Sequence, residues 1–419
     1  MSRLRRLAVF VIGLCLTSST VFAQAEPVTH WNAFTVSTVG GPTARPGPPG
    51  LLDIALVQTA VFDAVQVIEG DFQPYHYSDP SRRGVGSTAA AVAAATRGVL
   101  VRIYSAPTLE HAAIRAAVEA EYADYLGDNS LGMDPALDIG DDAAAALYAD
   151  HYRPVLAVTP FFGNNGIGQW RSAVAMGFQH LAISTPFTLN RIDQFRPPPP
   201  PPMQSVAYAR EYVEVAALGN ASAHVPPTDN TDLARFWAGN YVAQWNETVR
   251  QLIDTQDLAI GDAARLAALA NLAAADAAMA VWESKIFYNV WRPSTAIEFG
   301  DADPNPRTAA EAGWAPLIAN PPYPDYVSGA NGLTGAFTGM LREFFGTDAI
   351  SFSVKNPAAN VIDKERFFTT CSQAAQEVVD ARVLLGIHFR FADDEARRLG
   401  ERVSHWTFQK FLRPVPGSH

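Results

Sequence analysis

The feature that most constrains this chain is the spacing of its apolar residues. They recur at three and four over long stretches, and the strict alternation of a half-buried strand is rare. Leu52, Leu56, Ala60 and Ala64 form one such stripe between residues 51 and 68. Ser87 or Thr88 is suited to cap an Ala-rich stretch that runs to about Tyr104. Further helices are expected over 112–125, 141–152, 207–218 and 231–251, with Asp141 and Asp142 at the positive end of their helix dipole. A strong helix starts at Gly261-Asp262, with Leu266, Leu269, Leu272 and Met279 on its apolar side, and others follow over 332–345, 364–385 and 393–411. The expectation is an all-α bundle of about nine or ten helices with no strand pair.

Hydrophobic residues make up 48% of the 419 residues and charged residues 17%, which excludes a disordered chain. The N-terminus has the order of a secretory leader: Arg3, Arg5 and Arg6, an apolar run from Leu7 to Leu16, then small residues ending in Ala23-Gln24-Ala25. The alternative is an N-terminal membrane anchor, although the run is about half of a bilayer crossing. No other segment reads as apolar enough to span. The expected organisation is a signal peptide at 1–23 and one domain over 24–419, exported to the periplasm or the extracellular space. The formal net charge is −11, and without the first 23 residues 28 basic side chains face 42 acidic ones, a balance of −14. So acidic a surface repels nucleic acid and anionic lipid, and neither is expected as a partner. With Cys15 in the leader, Cys371 is alone and no intramolecular disulfide forms. Six consecutive prolines, 197–202, form a stiff strut, read either as a wall beside a pocket or as a docking peptide.

Three segments in the C-terminal third concentrate chemistry, all within 276–400. In the first, Lys285 and Arg292 are seven apart, two turns of a continuous helix, and flank Phe287 and Trp291; Pro293 discourages helix at Arg292. Two cations on one face can grip an oxyanion, or can simply be solvated. In the second, Pro322-Tyr323-Pro324-Asp325-Tyr326-Val327 leads into Ser328-Gly329-Ala330-Asn331. Ser328 can cap the following helix, and its hydroxyl with the Gly329 amide can donate to an anion there. Gly332, Gly335 and Gly339 fall at helical spacing, which lets another backbone approach closely. In the third, Arg382 and His388 are six apart and would point apart on one helix, but Gly386 can stop it and return the imidazole toward Arg382. Taken alone, His388 also reads as a core histidine.

The order Lys-x6-Arg-Pro, Ser-Gly, Arg-x5-His resembles the superfamily of vanadium-dependent haloperoxidases and type 2 phosphatidic acid phosphatases, most closely the soluble exported haloperoxidases. Trp31-Asn32-Ala33, the run from Asp53, Thr185-Pro186-Phe187, Gln194-Phe195-Arg196-Pro197 and Ala234-Arg235-Phe236-Trp237 look like that branch too, so the resemblance spans nearly the whole mature chain. It implies a helical bundle around one oxyanion site holding vanadate, with phosphate as a competing occupant. Carried over by motif, Lys285, Arg292 and Arg382 neutralise the oxyanion, Ser328 and Gly329 donate hydrogen bonds, and His388 ligates vanadium or attacks phosphorus. The implied activity is halide oxidation by hydrogen peroxide. The alternatives are an acid phosphatase acting on a phosphate ester through a phosphohistidine on His388, and an oxyanion-binding homologue without turnover. The third arises because the family's acid–base His after Ser-Gly is here Ala330, followed by Asn331. His180 and Tyr288 are candidates for supplying that function, and Asp276 for orienting Arg382.

Overall fold

The computed structural model describes residues 26–41, 45 and 47–417; the leader at 1–23 lies outside them. Among the described residues there are thirteen α-helices: α1 (Glu26–Val39), α2 (Pro48–Ile68), α3 (Thr88–Ile103), α4 (Leu109–Asp128), α5 (Ala136–His151), α6 (Val206–Leu218), α7 (Asp229–Phe236), α8 (Tyr241–Thr255), α9 (Ile260–Tyr288), α10 (Pro293–Glu298), α11 (Gly329–Phe345), α12 (Cys371–Leu384) and α13 (Arg390–Lys410). The class is all-α, with more helices than the apolar stripes suggested. The expected absence of strands is corrected by one antiparallel pair, β1 (Phe352–Lys355) and β2 (Glu365–Phe368), with Phe352 opposite Phe368.

The differences have local causes. The helix expected from residue 141 starts at Ala136, whose amide bonds Asp134 Oδ1, and Asp141 and Asp142 instead pair sideways with Arg97 and Arg82. The single helix expected over 231–251 breaks in two, because Asn240 Oδ1 accepts from the amides of Val242 and Ala243 and starts α8 afresh. The helix expected from residue 364 begins at Cys371, capped by Thr370, because Glu365–Phe368 pairs as β2. Cys371 is buried and carries no disulfide.

Helix α9 is the axis of the bundle. It is buried along nearly its whole length, with α2 packed on one side and α11 and α13 on another. Contrary to the sequence expectation, α2 and α9 are both long and apolar enough to cross a membrane, but both are enclosed by protein. The small residues of α11 serve close packing: a Cβ at Gly335 would stand 2.2 Å from the Arg397 carbonyl, and one at Gly400 the same distance from the Gly332 carbonyl. Ser404 Oγ crosses the seam to the Ala336 carbonyl at 2.6 Å. This contact fixes the N-terminus of α11, where Ser328 and Gly329 sit.

Asp276, in the middle of α9, does not orient Arg382. It is fully buried and accepts from the amides of Phe187, Thr188 and Leu189 and from Thr188 Oγ1, at 2.6–3.1 Å. It clasps the segment after Thr185-Pro186 to the core. Asp276→Ala strands these donors, each worth about 1–3 kcal/mol when buried without a partner. A destabilisation on the order of 3 kcal/mol or more is expected in denaturant unfolding; an unchanged midpoint would show that the clasp carries no stability.

Candidate active site

Lys285 lies in the last turn of α9, wholly buried. The helix ends just beyond it, where Asn289 adopts a left-handed conformation (φ 47°). Arg292 is therefore not two turns further along the same helix face, as its spacing suggested. It stands in extended backbone as the N-cap of α10, with Pro293 at the first helical position. The break still brings both cations to one place. Lys285 Nζ donates to the carbonyls of Pro324 (2.7 Å) and Asp325 (3.1 Å). Arg292 donates through Nε to Tyr323 O (2.9 Å) and through one terminal nitrogen to Ile387 O (2.6 Å) and His388 Nε2 (3.1 Å).

The third cation arrives as the glycine stop predicts. Arg382 is in the last turn of α12, Gly386 has φ 74°, and the chain turns back so that His388 faces the cluster. Arg382 lies against Tyr241, with contacts of 3.4 and 3.5 Å to Trp237 O and Tyr241 Oη. Burial, then Arg292, Lys285 and Arg382, pushes His388 well below the usual imidazole range, so it is neutral at pH 7. Arg292 can only donate, so Nε2 accepts from it and the neutral ring carries its proton on Nδ1, which lies 2.7 Å from Asp325 Oδ1. Asp325 was not foreseen as a site residue, although it stands inside the Pro-Tyr-Pro-Asp segment. It is fully buried and raised to about 7 by that burial, against the pull of Arg292 and Lys285.

Ser328 occupies the N-cap position of α11 but makes no capping bond. Its buried hydroxyl has no well-aligned partner and stands beside Asp393, a fully buried carboxyl pushed well above its usual range by desolvation. Asn331 Nδ2 donates to Asp393 Oδ1 at 2.8 Å. Asp393 is a second residue the spacing did not single out. Two buried donors around this centre lack a hydrogen-bond acceptor, a terminal nitrogen of Arg292 and Arg382 Nε, while Ser328 Oγ is set against Asp393. Buried polar groups are ordinarily satisfied, so unmet donors on two of the three basic side chains fit an oxyanion. Burial, then the neighbouring Arg292, holds Lys285 well below its usual range, and an anion nearby would restore its charge.

In front of these donors is a cavity of about 300 Å³ lined by Arg382, Gly329, Ala330, Trp282, Tyr323 and Tyr241, among others. Ala330 lies on its wall, directly after the Ser328-Gly329 pair. Neither suggested substitute reaches it. His180 does not line the cavity, and burial lowers its pKa. Tyr288 Oη is bonded to Pro197 O at 2.6 Å. Tyr326 Oη similarly holds Pro198 O at 2.5 Å. The polyproline strut is thus tied by these two tyrosines and does not line the cavity, so of its two readings the wall is not borne out for this cavity.

Residues 265–417, which hold every one of the site residues above except the cavity wall at Tyr241, match the family model for the VCPO second helical-bundle domain. The fold agrees along nearly the whole chain. A bacterial vanadium-dependent iodoperoxidase superposes with a TM-score of 0.70 at 20% identity, covering 94% of this chain and 97% of that one. The chain has the helical fold of the bacterial vanadium-dependent haloperoxidases. Two structures of bacterial vanadium-dependent chloroperoxidase, holo and apo, match with TM-scores of 0.65 and 0.66, each at 17% identity. Each covers 88% of this chain, and the match spans 93% and 96% of those chains. No curated relative matches. The structure brings Lys285, Arg292, Arg382, the Ser328-Gly329 pair and His388 to one place, with Ala330 directly after the Ser-Gly pair.

Proposed function

We propose that the protein is a vanadate-dependent haloperoxidase that oxidises halide with hydrogen peroxide. The observation that carries this reading is the convergence of Lys285, Arg292 and Arg382, with unmet donors, on a neutral His388. Lys285, Arg292 and Arg382 would balance the charge of bound vanadate, and Ser328 Oγ and the Gly329 amide would hydrogen-bond its oxygens. His388 Nε2 would be its protein ligand, as suits a neutral imidazole. Bound there, vanadate supplies Lewis-acid activation of peroxide toward halide. Arg292 then exchanges its bond to His388 Nε2 for one to the anion. Asp325 holds the Nδ1 proton, keeping the Nε2 lone pair turned inward. Halide oxidation consumes one proton, and Asp393, kept protonated by burial, holds one beside Ser328 Oγ.

The same donors accept phosphate, and a neutral imidazole is also a competent nucleophile, so the phosphatase reading shares this geometry. Reconstitution separates them. Purified protein loaded with vanadate is expected to brominate or iodinate a phenol dye in the presence of peroxide. Release of p-nitrophenol from its phosphate ester, lost in His388→Ala and competed by vanadate, would favour the phosphatase. Tight vanadate binding with neither activity would identify a binding protein whose turnover went with the acid–base His.

A further inference from the structure

We propose that an open groove on the outer face of α13, away from the oxyanion centre, binds a two-ring aromatic compound with an acidic group at each end. The two sites are separate. Asp393, beside Ser328, lies in the first turn of α13, whereas Trp406 in the groove stands thirteen residues further along, about 20 Å of helix. No residue lining the groove also lines the cavity in front of the oxyanion donors. The proposal is therefore independent of the chemistry at His388.

Charge is the first argument. The chain has 42 acidic residues against 31 basic ones, yet the groove is lined by four basic side chains and two acidic ones. Both acids are already engaged. Glu401 pairs with Arg342 at 3.1 Å and Arg397 at 2.9 Å, and Glu343 pairs with His405 at 2.9 Å. Arg402 donates to Phe195 O at 3.1 Å, and Lys410 Nζ lies over the Trp406 ring, 5.5 Å from its centroid. Among the described residues neither of these two cations has a carboxylate partner. Charges more than about 8–10 Å away are largely screened at physiological salt, so the acidic remainder of the molecule does not cancel them.

Spacing gives the length of the ligand. Arg402, Trp406 and Lys410 recur at every fourth residue of α13 and share one face, with the indole between the two cations. The cationic residues are eight positions apart, about 12 Å along the axis. A single inorganic anion does not span that distance, and a fused pair of rings with acids at opposite ends does.

The wall gives the ring. Trp406 Nε1 donates to Thr188 O at 2.9 Å, so the one polar group of the indole is committed away from the groove. Phe195 stands edge to face with it, centroids 6.3 Å apart, leaving an aromatic surface on which a further ring can stack. Lys410 has a flexible four-carbon stem, which can carry its ammonium from the indole to an acid at that end. At about 940 Å³ the groove is within the roughly 300–1,000 Å³ usual for small-molecule sites.

Calorimetric titration with naphthalene-2,6-disulfonate tests the proposal. One saturable site is expected, with the same affinity whether or not inorganic vanadate is present. Ethane-1,2-disulfonate, which keeps both acids and lacks the rings, is expected to bind roughly tenfold more weakly. Arg402→Gln and Lys410→Gln are each expected to weaken the naphthalene compound about threefold or more. Both side chains are exposed, so circular dichroism and iodide oxidation should be unchanged in either variant. No saturable binding, competition by vanadate, equal affinity for the two disulfonates, or full affinity in both variants overturns the proposal.

Discussion

Replacing His388 with Ala is expected to abolish turnover while leaving the bundle folded. The imidazole does three things at once. Its Nε2 faces the donor set, its Nδ1 meets Asp325 at 2.7 Å, and its ring fills a fully enclosed position. Loss of one preorganised stabilising donor costs roughly 10²–10³ in rate. Loss of His388 as the proposed vanadate ligand should cost more, at least about 10³. Deletion also leaves Asp325 without its nearest partner beside Arg292, and that carboxylate would swing into the space meant for the anion. Vanadate affinity should therefore fall together with kcat, read by titration with inorganic vanadate and by triiodide formation from iodide. Far-ultraviolet circular dichroism should be unchanged. A variant with wild-type triiodide formation would remove His388 from the chemistry and with it the proposed function.

The second large effect is a gain. Ala330→His is expected to raise the rate of iodide oxidation by about 10²–10⁴, the range that a positioned general acid or base contributes. The position lies on the cavity wall one residue after Gly329, in the first turn of α11, and the cavity of about 300 Å³ has room for an imidazole. Vanadate affinity should change little, because Ala330 contributes no donor. Triiodide formation is the right readout, since it needs no organic reactant and is insensitive to crowding of the aromatic cavity. No gain, with the vanadate site intact, would mean that proton transfer does not limit this protein and that Asp393 already suffices. Asp393→Asn would then be the variant that slows it.

The long apolar stripes were readable because α3, α11 and α13 bury a face and α2 and α9 are buried nearly all round. What the pattern did not carry was interruption. Asn289 in a left-handed turn, Asn240 as a cap in mid-stripe and the pairing of 365–368 with 352–355 are decided by one residue or by a distant partner. The site divides in the same way. Lys285, Arg292, Ser328, Arg382 and His388 were legible as motif residues, and the Gly386 stop explained how the last two meet. Asp325 and Asp393 were not, because a carboxylate acquires its role from burial beside cations, which no spacing encodes. Asp276 shows the converse: it was on the right helix, but its bonds run to residues 187–189 on the far side.

Two of the three basic side chains of this centre, Lys285 and Arg292, are held by main-chain oxygens of residues 323–325 and 387. A hollow braced in that way does not need its guest in order to keep its shape. On the proposed function, protein purified without vanadate should gain activity when vanadate is added afterwards, and phosphate in the buffer should compete with that loading.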